Sequence, residues 1–172
     1  MGKKHKTIVT HLEMTAPPRL PPAPHPPGKY ALMRAENPPV HFYRYLYDAV
    51  GRDYVWVNRK RLSDKVLASI VQHPDVEIYV LYCNGSPAGY FELDFRSLPR
   101  AELSFLGLIP EQVGSGIGSF MLREAIAMAW SREINRLIVQ TCTLDHPRAL
   151  PMYQRMGFSP YAQEEAELEE LD

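Results

Sequence analysis

The chain has 172 residues, of which 45% are hydrophobic and 23% charged, and its formal net charge is −1. These proportions are ordinary for a globular protein, and the length predicts one domain with a substantial core. The small net charge provides no field that would attract nucleic acid or a membrane surface, and no apolar run reaches membrane-spanning length. We therefore predict a cytoplasmic protein with no nucleic acid and no membrane among its partners.

The N-terminal residues, the cysteines and the histidines exclude several further classes. The first ten residues carry lysines but no apolar segment, so we expect no secretory signal. Cys83 and Cys142 lie in apolar runs typical of strands, and we expect them to be buried, reduced thiols. The six histidines are scattered without the spacings of metal ligands, and we predict no metal site.

The chain begins with a predicted strand over residues 6–14 and continues with seven prolines in residues 17–27. A segment so rich in proline can join neither a helix nor a sheet and should adopt polyproline II. It could be a docking ligand for a proline-binding module, but we favour a stiff connector between two strands. Residues 30–36 predict the second of these strands.

Two helices are predicted next. Residues 40–50 are apolar on two faces, one of which should pack against the core. The other face could pack against a substrate pocket or another subunit, and the alternative is that the helix contacts the core alone. Ser63 is suited to cap a second helix, which Pro74 ends. The basic residues between the helices, Arg59 to Arg61, are more typical of a solvated surface than of a phosphate site.

From Val76 the hydrophobic pattern has the period of a strand. An antiparallel meander of three strands is predicted over residues 76–82, 88–95 and 101–109. The last predicted elements are a strand over 136–143, a short helix over 146–156 and a strand after Gly157. We expect the acidic tail from Glu164 onwards to be frayed, because its like charges repel one another.

The stretch of residues 101–130 carries the clearest functional signal. The apolar run Leu103–Ile109 predicts a buried strand, and the spacing of apolar residues from Ile117 predicts a helix. The turn between them contains three glycines, Gly114, Gly116 and Gly118. Free N–H groups at a helix start, next to glycines that let the backbone approach a ligand, predict a site for a phosphate or pyrophosphate.

The glycine spacing distinguishes between kinds of phosphate site. A P-loop would need a lysine after the last glycine, and a dinucleotide fold would need G-x-G-x-x-G near the start of its domain. The segment VGSGIG, residues 113–118, has neither feature. It resembles the acetyl-CoA motif of the GNAT N-acetyltransferase superfamily, [R/Q]-x-x-G-x-[G/A]. Val113 stands at the family's Arg or Gln position, and Gln112 precedes it.

A second segment strengthens this resemblance. Residues 145–158, DHPRALPMYQRMGF, are similar to the GNAT pattern N-x-x-A-x-x-L-Y-x-x-x-G-F, which follows the glycine turn in that family. Four positions match: Ala149, Tyr153, Gly157 and Phe158. His146 replaces the family's Asn, and Met152 replaces its Leu. Two motifs in the right order are more specific than either motif alone.

The resemblance implies a fold, an activity and a partner. The fold is α+β, with a mixed, mostly antiparallel central sheet flanked by helices in a single GNAT domain over residues 29–161. Residues 1–28 would form an N-terminal strand and connector, and residues 162–172 an acidic tail. The implied activity is N-acetyltransfer, with acetyl-CoA as co-substrate, no metal, and a small-molecule or peptide amine as acceptor. Family members are often dimers, so a homodimer is one possible state, and the sequence leaves the oligomeric state open.

The resemblance also assigns cofactor-binding residues. A backbone N–H near Leu108 should hold the acetyl carbonyl. The pyrophosphate should lie on the amides of the turn, namely Val113, Gly114, Ser115, Gly116, Ile117, Gly118 and Ser119. His146 would contact the cofactor arm. Alternatively, it belongs to a helix start capped by Asp145.

The catalytic residues that the resemblance implies are Tyr153 and Glu102. Tyr153 would act as general acid toward the CoA thiolate, and the alternative is a core aromatic. Glu102, on the strand that leads to the cofactor, is the preferred base. Glu92 on the neighbouring strand could raise the pKa of Glu102 if the two carboxylates were close. The alternative is that one or both of them face solvent.

Other functions and the acceptor pocket stay open. A CoA-binding module without turnover and an adaptor that acts through the proline segment are the two alternatives to an enzyme. Four aromatic residues are candidates for lining the acceptor pocket: Phe42, Tyr45, Trp56 and Tyr90.

Overall fold

A computed structural model describes residues 2–22 and 24–171, which contain seven strands and four α-helices. The strands are β1 (Lys4–Met14), β2 (Tyr30–Arg34), β3 (Val76–Cys83), β4 (Ser86–Ser97), β5 (Arg100–Leu108), β6 (Arg136–Cys142) and β7 (Ser159–Glu169). The helices are α1 (Val40–Gly51), α2 (Asp64–Val71), α3 (Ile117–Trp130) and α4 (Ala149–Arg155), with short 3₁₀ turns at Arg52–Tyr54 and Pro110–Gln112. Elements of these types follow one another in the predicted order.

The strands form a single sheet in the order β2-β3-β4-β5-β6-β1-β7. Neighbouring strands are antiparallel except for β5 and β6, which are parallel. This confirms the predicted fold class, a single α+β domain with a mixed, mostly antiparallel sheet, and it confirms the meander of β3, β4 and β5. None of the helices described is long and apolar enough to cross a bilayer.

The two parallel strands separate before they end. Pairing between β5 and β6 runs from Arg100 opposite Arg136 to Leu103 opposite Val139, whereas the strands continue to Leu108 and Cys142. A cleft therefore opens in the middle of the sheet. The predicted burial of residues 103–109 is accordingly wrong for most of the run. Leu103 is buried, but residues 104–109 are only half-buried, because the strand loses its neighbour there.

Each face of the sheet has its own core. On one face α3 and α4 pack over a cluster that includes Leu12, Phe91, Leu103, Met121, Leu122 and Phe158. On the other face α1 and α2 pack over a cluster that includes Tyr43, Leu46, Leu67, Ile78 and Tyr90. Helix α2 begins as predicted, with the Ser63 hydroxyl accepting a hydrogen bond from the Val66 N–H at 3.2 Å.

The N-terminal strand lies inside the sheet, between β6 and β7. Pairing of β1 with β7 extends to Lys4 opposite Glu169. The expectation of a frayed tail from Glu164 is therefore wrong. Cross-strand partners offset the acidic charge: Lys4 forms an ion pair with Glu167 at 3.7 Å, and His5 hydrogen bonds to Glu170 at 2.7 Å. The division of the chain at residues 28 and 161 stays a prediction.

The proline segment crosses α3 on its way from β1 to β2. Leu20 packs against the core under α3 and α4. The Arg123 Nη1 donates to the carbonyl of Pro21 at 2.9 Å, and the rings of His25 and Phe120 lie 6.1 Å apart. The proline segment therefore lies along the surface of α3.

Candidate active site

A cavity of about 420 Å³ opens where β5 and β6 separate, which is a volume typical of small-molecule sites. We call one part the glycine half, lined by Leu106, Leu108, Val113, Gly114, Gly116, Gly118, Ser119, Arg148, Ala149, Met152, Tyr153 and Arg155. We call the other part the aromatic half, lined by Thr7, Val9, Tyr47, Tyr54, Val55, Trp56, Val57, Asn58, Phe105, Ala166 and Leu168. The lining includes residues from both cores, one on each face of the sheet. The cavity therefore extends through the sheet from one face to the other.

The glycine turn leaves the start of α3 open. Gly114 and Gly116 have φ angles of 85° and 84°, and a Cβ on either would meet no atom within 4 Å. Gly116 is the N-cap of α3 and provides no side-chain cap, so the first N–H groups of the helix keep their hydrogen-bonding capacity. Together with the helix dipole, this geometry suits an anion.

Not every predicted amide in the turn is free. The N–H groups of Val113 and Ser115 donate to the carbonyls of Pro110 and Gln112, both at 3.3 Å. The Ser115 hydroxyl also bonds the Gln112 carbonyl, at 2.6 Å, and the Ile117 side chain is buried in the core. The amides left for a ligand are those of Gly114 and of residues 116–119.

The Gln112 side chain is not part of the cavity lining, so it does not take over the function of the family's Arg or Gln. Its side chain lies between the Tyr30 hydroxyl, at 3.4 Å from Oε1, and the Cys83 sulfur, at 3.5 Å from Nε2. Val113 itself lines the cavity.

The sequence prediction that both cysteines are buried is wrong. Both are half-buried and free, and Cys142 also lines the cavity.

The backbone of Leu108 is oriented toward the cleft. The N–H of the next residue, Ile109, donates to the carbonyl of Ala88 at 2.9 Å, which is the direction of β4. Successive N–H groups of a strand point to opposite sides. The N–H of Leu108 therefore points toward β6, where no strand is paired with this part of β5.

Two arginines that the sequence reasoning missed add positive charge to the glycine half. Arg148 precedes α4 and Arg155 ends it; both are exposed, and both line the cavity. In the sequence they look like ordinary solvent-facing residues of a short helix, because nothing local places them beside the turn before α3.

Tyr153 lies in α4 at the boundary between the core and the cavity. Its side chain is 6% exposed, and its ring packs edge-on against Phe158 with the centroids 5.7 Å apart. Burial, and then the nearby Asp145, raise the pKa of the hydroxyl, so it stays protonated. Among the residues described, no hydrogen bond engages this hydroxyl, which leaves it free to donate.

His146 and Asp145 form the loop between β6 and α4. His146 lines the cavity and accepts a hydrogen bond on Nδ1 from the N–H of Arg148 at 3.1 Å. Asp145 does not cap α4, contrary to the alternative prediction. Its Oδ2 accepts from Thr141 at 2.6 Å and from the Cys142 N–H at 2.9 Å, and its Oδ1 accepts from Trp56 at 3.3 Å. These bonds tie the loop to β6 and to the aromatic half.

Glu92 is a structural carboxylate, fully buried and outside the cavity lining. Arg59 donates to both of its oxygens, from Nη2 at 2.9 Å and Nη1 at 3.2 Å, and the Tyr43 hydroxyl donates at 2.8 Å. The alternative that Glu92 faces solvent is therefore excluded, and the prediction of a solvated Arg59 is wrong. The Arg59 side chain is only 13% exposed, because it pairs with Glu92 and stacks on Tyr43 and Phe105.

Glu102 lies behind the cavity wall. It is paired across the sheet with Asp94, and it is not among the residues that line the cavity, although the next residue, Leu103, is. Burial, and then the charge of Asp94, raise the pKa of the Glu102 carboxyl. The catalytic role of Glu102 stays a prediction, and its position outside the lining does not favour direct contact with a substrate in the cavity.

The aromatic half is built from side chains that are distant in sequence. Three rings contact one another, with centroid distances of 5.6 Å between Tyr47 and Trp56, 5.3 Å between Tyr47 and Phe105, and 5.1 Å between Trp56 and Phe105. Of the four aromatic residues proposed from the sequence, Trp56 lines the cavity. Tyr90 is fully buried, and Tyr45 is 55% exposed on another face of α1.

Residues 21–158 match the family model of the acetyltransferase (GNAT) family. The chain belongs to the GNAT family. This confirms the resemblance stated from the two sequence motifs, and the match contains both of them. No curated protein matches the sequence significantly.

Solved structures with this fold include a GCN5-related N-acetyltransferase from Kribbella flavida, with 16% identity, a TM-score of 0.62, and coverage of 95% of this chain and 58% of that one. An IAA acetyltransferase from Bacillus cereus shares 21% identity, with a TM-score of 0.57 and coverage of 78% and 79%. An aminoglycoside acetyltransferase from a soil metagenome shares 14%, with a TM-score of 0.60 and coverage of 74% and 87%. At these identities the likeness concerns the fold alone. The chain spans 51% to 66% of the length of several other solved chains that it matches.

Proposed function

We propose that this protein is an acetyl-CoA-dependent N-acetyltransferase that moves the acetyl group directly to a primary amine of a small molecule or peptide. The observation that carries the proposal is the open glycine turn before α3, which lies on the same cavity as the separated end of β5 and Tyr153. Family membership makes acyl transfer the expected chemistry. A cytoplasmic location and a homodimer stay predictions.

The glycine half has suitable groups for each part of acetyl-CoA. The amides of Gly114 and of residues 116–119 would hold the pyrophosphate, and Arg148 and Arg155 supply additional positive charge for phosphate groups. The slot between β5 and β6 would take the pantetheine arm, with His146 beside it. The N–H of Leu108, directed toward this slot, would polarise the acetyl carbonyl.

The reaction forms a C–N bond and breaks a C–S bond, so the amine must lose a proton and the thiolate must gain one. We assign to Tyr153 the donation of the proton that the thiolate gains. The raised pKa of the Tyr153 hydroxyl keeps it protonated until the thiolate leaves. Glu102 stays our proposed base, acting through water, since its side chain lies outside the cavity lining. Both reactants would be held in one cavity, which would supply the alignment that direct transfer needs.

Calorimetry with acetyl-CoA and measurement of thiol release with a panel of amines test this proposal. We expect binding, and amine-dependent release of CoA that Tyr153→Phe slows by about a hundredfold or more in kcat, with the Kd for acetyl-CoA unchanged. Tyr161→Phe, at an exposed tyrosine on β7, is the matched control. Binding without turnover on any amine would favour the CoA-binding module, and the absence of binding would overturn both functions.

A further inference from the structure

The aromatic half of the cavity points to the kind of amine that this protein accepts. We propose that the acceptor is a primary amine carried on an apolar or aromatic body, and not a polycation such as a polyamine or an aminoglycoside. This inference rests on the proposed function, since it assumes that the cavity brings an amine to an acetyl donor.

The first argument is the chemistry of the walls. The contacting rings of Tyr47, Trp56 and Phe105 form one side of the aromatic half. Val9, Ala166 and Leu168, from β1 and β7, supply aliphatic surface to the same half. An apolar body of a ligand would be removed from water between these surfaces, which is the main source of affinity for such a group.

The second argument concerns negative charge. Polycationic ligands are held by ionised carboxylates, because a hydrogen bond between charged groups is stronger than one between neutral groups. Asp145 is the one carboxylate among the described residues that line the cavity, and Trp56, Thr141 and the Cys142 N–H already use both of its oxygens. Asp145 has at most one acceptor position left, and no other carboxylate of this lining is present to pair with a second ammonium group.

The third argument is that the Phe105 ring already makes a cation–π contact with Arg59. The guanidinium of Arg59 lies 4.9 Å from the centroid of that ring, on the side of the buried Glu92. An ammonium group in the cavity would gain less binding energy from a ring that already makes a cation–π contact.

The apolar walls also affect the protonation of the amine. Apolar surroundings lower the pKa of an amine, which yields the neutral nucleophile without a base in the cavity lining.

Initial rates with a matched pair of amines test the inference on the full-length chain. 2-Phenylethylamine and ethylamine share the reacting group and differ in the aromatic body, and spermidine serves as the polycation. We expect kcat/KM for 2-phenylethylamine to exceed that for ethylamine by about tenfold to a hundredfold, and to exceed that for spermidine as well. If ethylamine or spermidine reacts as well as 2-phenylethylamine, the inference is overturned and the proposed function stands.

Variants of Trp56 assign the preference to this surface. Trp56→Ala should reduce the ratio of the two kcat/KM values about tenfold, mainly through KM for 2-phenylethylamine, whereas Trp56→Phe should retain most of it. Tyr45→Ala, at an exposed aromatic residue of α1, the helix that precedes Trp56 in the chain, should leave the ratio unchanged. Calorimetry with acetyl-CoA on each variant reports whether the glycine half is intact.

Two further outcomes separate this inference from its alternatives. If hexanoyl-CoA binds more tightly than acetyl-CoA and Trp56→Ala removes that difference, the aromatic half holds an acyl chain and the inference is wrong. If acetyl-CoA binds but no amine accelerates CoA release, the proposed transferase function itself fails, and the inference fails with it.

Discussion

The two halves of the cavity are built in different ways. In the glycine half, the anion site depends on the backbone of one continuous stretch, with Gly114 and Gly116 at φ angles near 85° before the open start of α3, although side chains of β5 and α4 also line this half. The aromatic half depends on side chains from β1, α1, the segment after it, β5 and β7. A site made of backbone is determined by local sequence, whereas a site made of side chains exists only when the tertiary structure has formed. The two halves should therefore respond differently to mutation.

The largest effect is expected under the aromatic half, where Arg59 and Glu92 form a buried ion pair. Arg59→Ala leaves the Glu92 carboxylate buried without its partner and removes the cation that stacks on Phe105. We expect the free energy of unfolding to fall by about 3–5 kcal/mol. Urea denaturation measures this change.

Lys60 provides a matched control for that experiment. It is the next residue and also pairs with a carboxylate, Asp48 at 2.7 Å, but both side chains are about one third exposed, at 33% and 34%. Lys60→Ala should therefore cost less than about 1 kcal/mol. The double variant Arg59→Met with Glu92→Leu should recover much of the lost stability, because no charge stays buried. Equal costs for the two single variants would contradict the role assigned to the buried pair.

The glycine half offers a second, smaller effect. Gly116→Ala places a Cβ on a residue with φ of 84° and should cost about 1–2 kcal/mol of stability. It should also raise the Kd for acetyl-CoA by at least about tenfold, since the Cβ and the altered backbone interfere with the approach of the pyrophosphate. Calorimetry gives the Kd, and thermal unfolding gives the stability.

Gly85 separates strain from binding in that experiment. It lies in the turn between β3 and β4 with φ of 88°, and a Cβ there would also meet no atom within 4 Å. Gly85→Ala should therefore cost similar stability and leave the Kd for acetyl-CoA unchanged. If both variants weakened acetyl-CoA binding equally, the glycine turn would have no specific role.

The same contrast explains which parts could be predicted from the sequence. The order of elements, the cap at Ser63 and the glycine turn follow from short-range patterns, and the structure contains all three. The sequence predicts a solvated Arg59 because its partner, Glu92, is 33 positions away and only the fold brings the two together. Tyr47 and Phe105 were missed for the same reason.

Charge and hydrophobic patterns within one segment also mislead when the partner of that segment is distant in the sequence. The acidic run from Glu164 looks repulsive in the sequence, but in the sheet it lies opposite β1, which supplies Lys4 and His5 as partners. Likewise, residues 103–109 look like a buried run because all of them are apolar or small. The partner strand diverges after Leu103, and that divergence is what creates the cavity. Neither pairing can be derived from one segment alone.

The smallest effect is expected from Glu102, which belongs to neither half. Burial, and then Asp94, raise the pKa of its carboxyl above the ordinary value of 4.5, so the folded state binds this proton more tightly than the unfolded state does. The stabilising contribution is fully present below the unfolded pKa and is lost as the pH rises through the folded pKa. Glu102→Gln does not titrate, so it should have the higher Tm at neutral pH, and this advantage should disappear near pH 4.

Thermal unfolding at acidic and neutral pH measures this difference, with Glu133→Gln, at an exposed glutamate, as the matched control. A Tm for Glu102→Gln that equals that of the original protein at neutral pH would contradict the effect of burial. The same variant also tests the proposed base. Because Glu102 lies behind the wall of the cavity, a loss of kcat/KM greater than that of Glu133→Gln would require a water-mediated path to the amine. Such a loss would extend the catalytic site beyond the two halves that line the cavity.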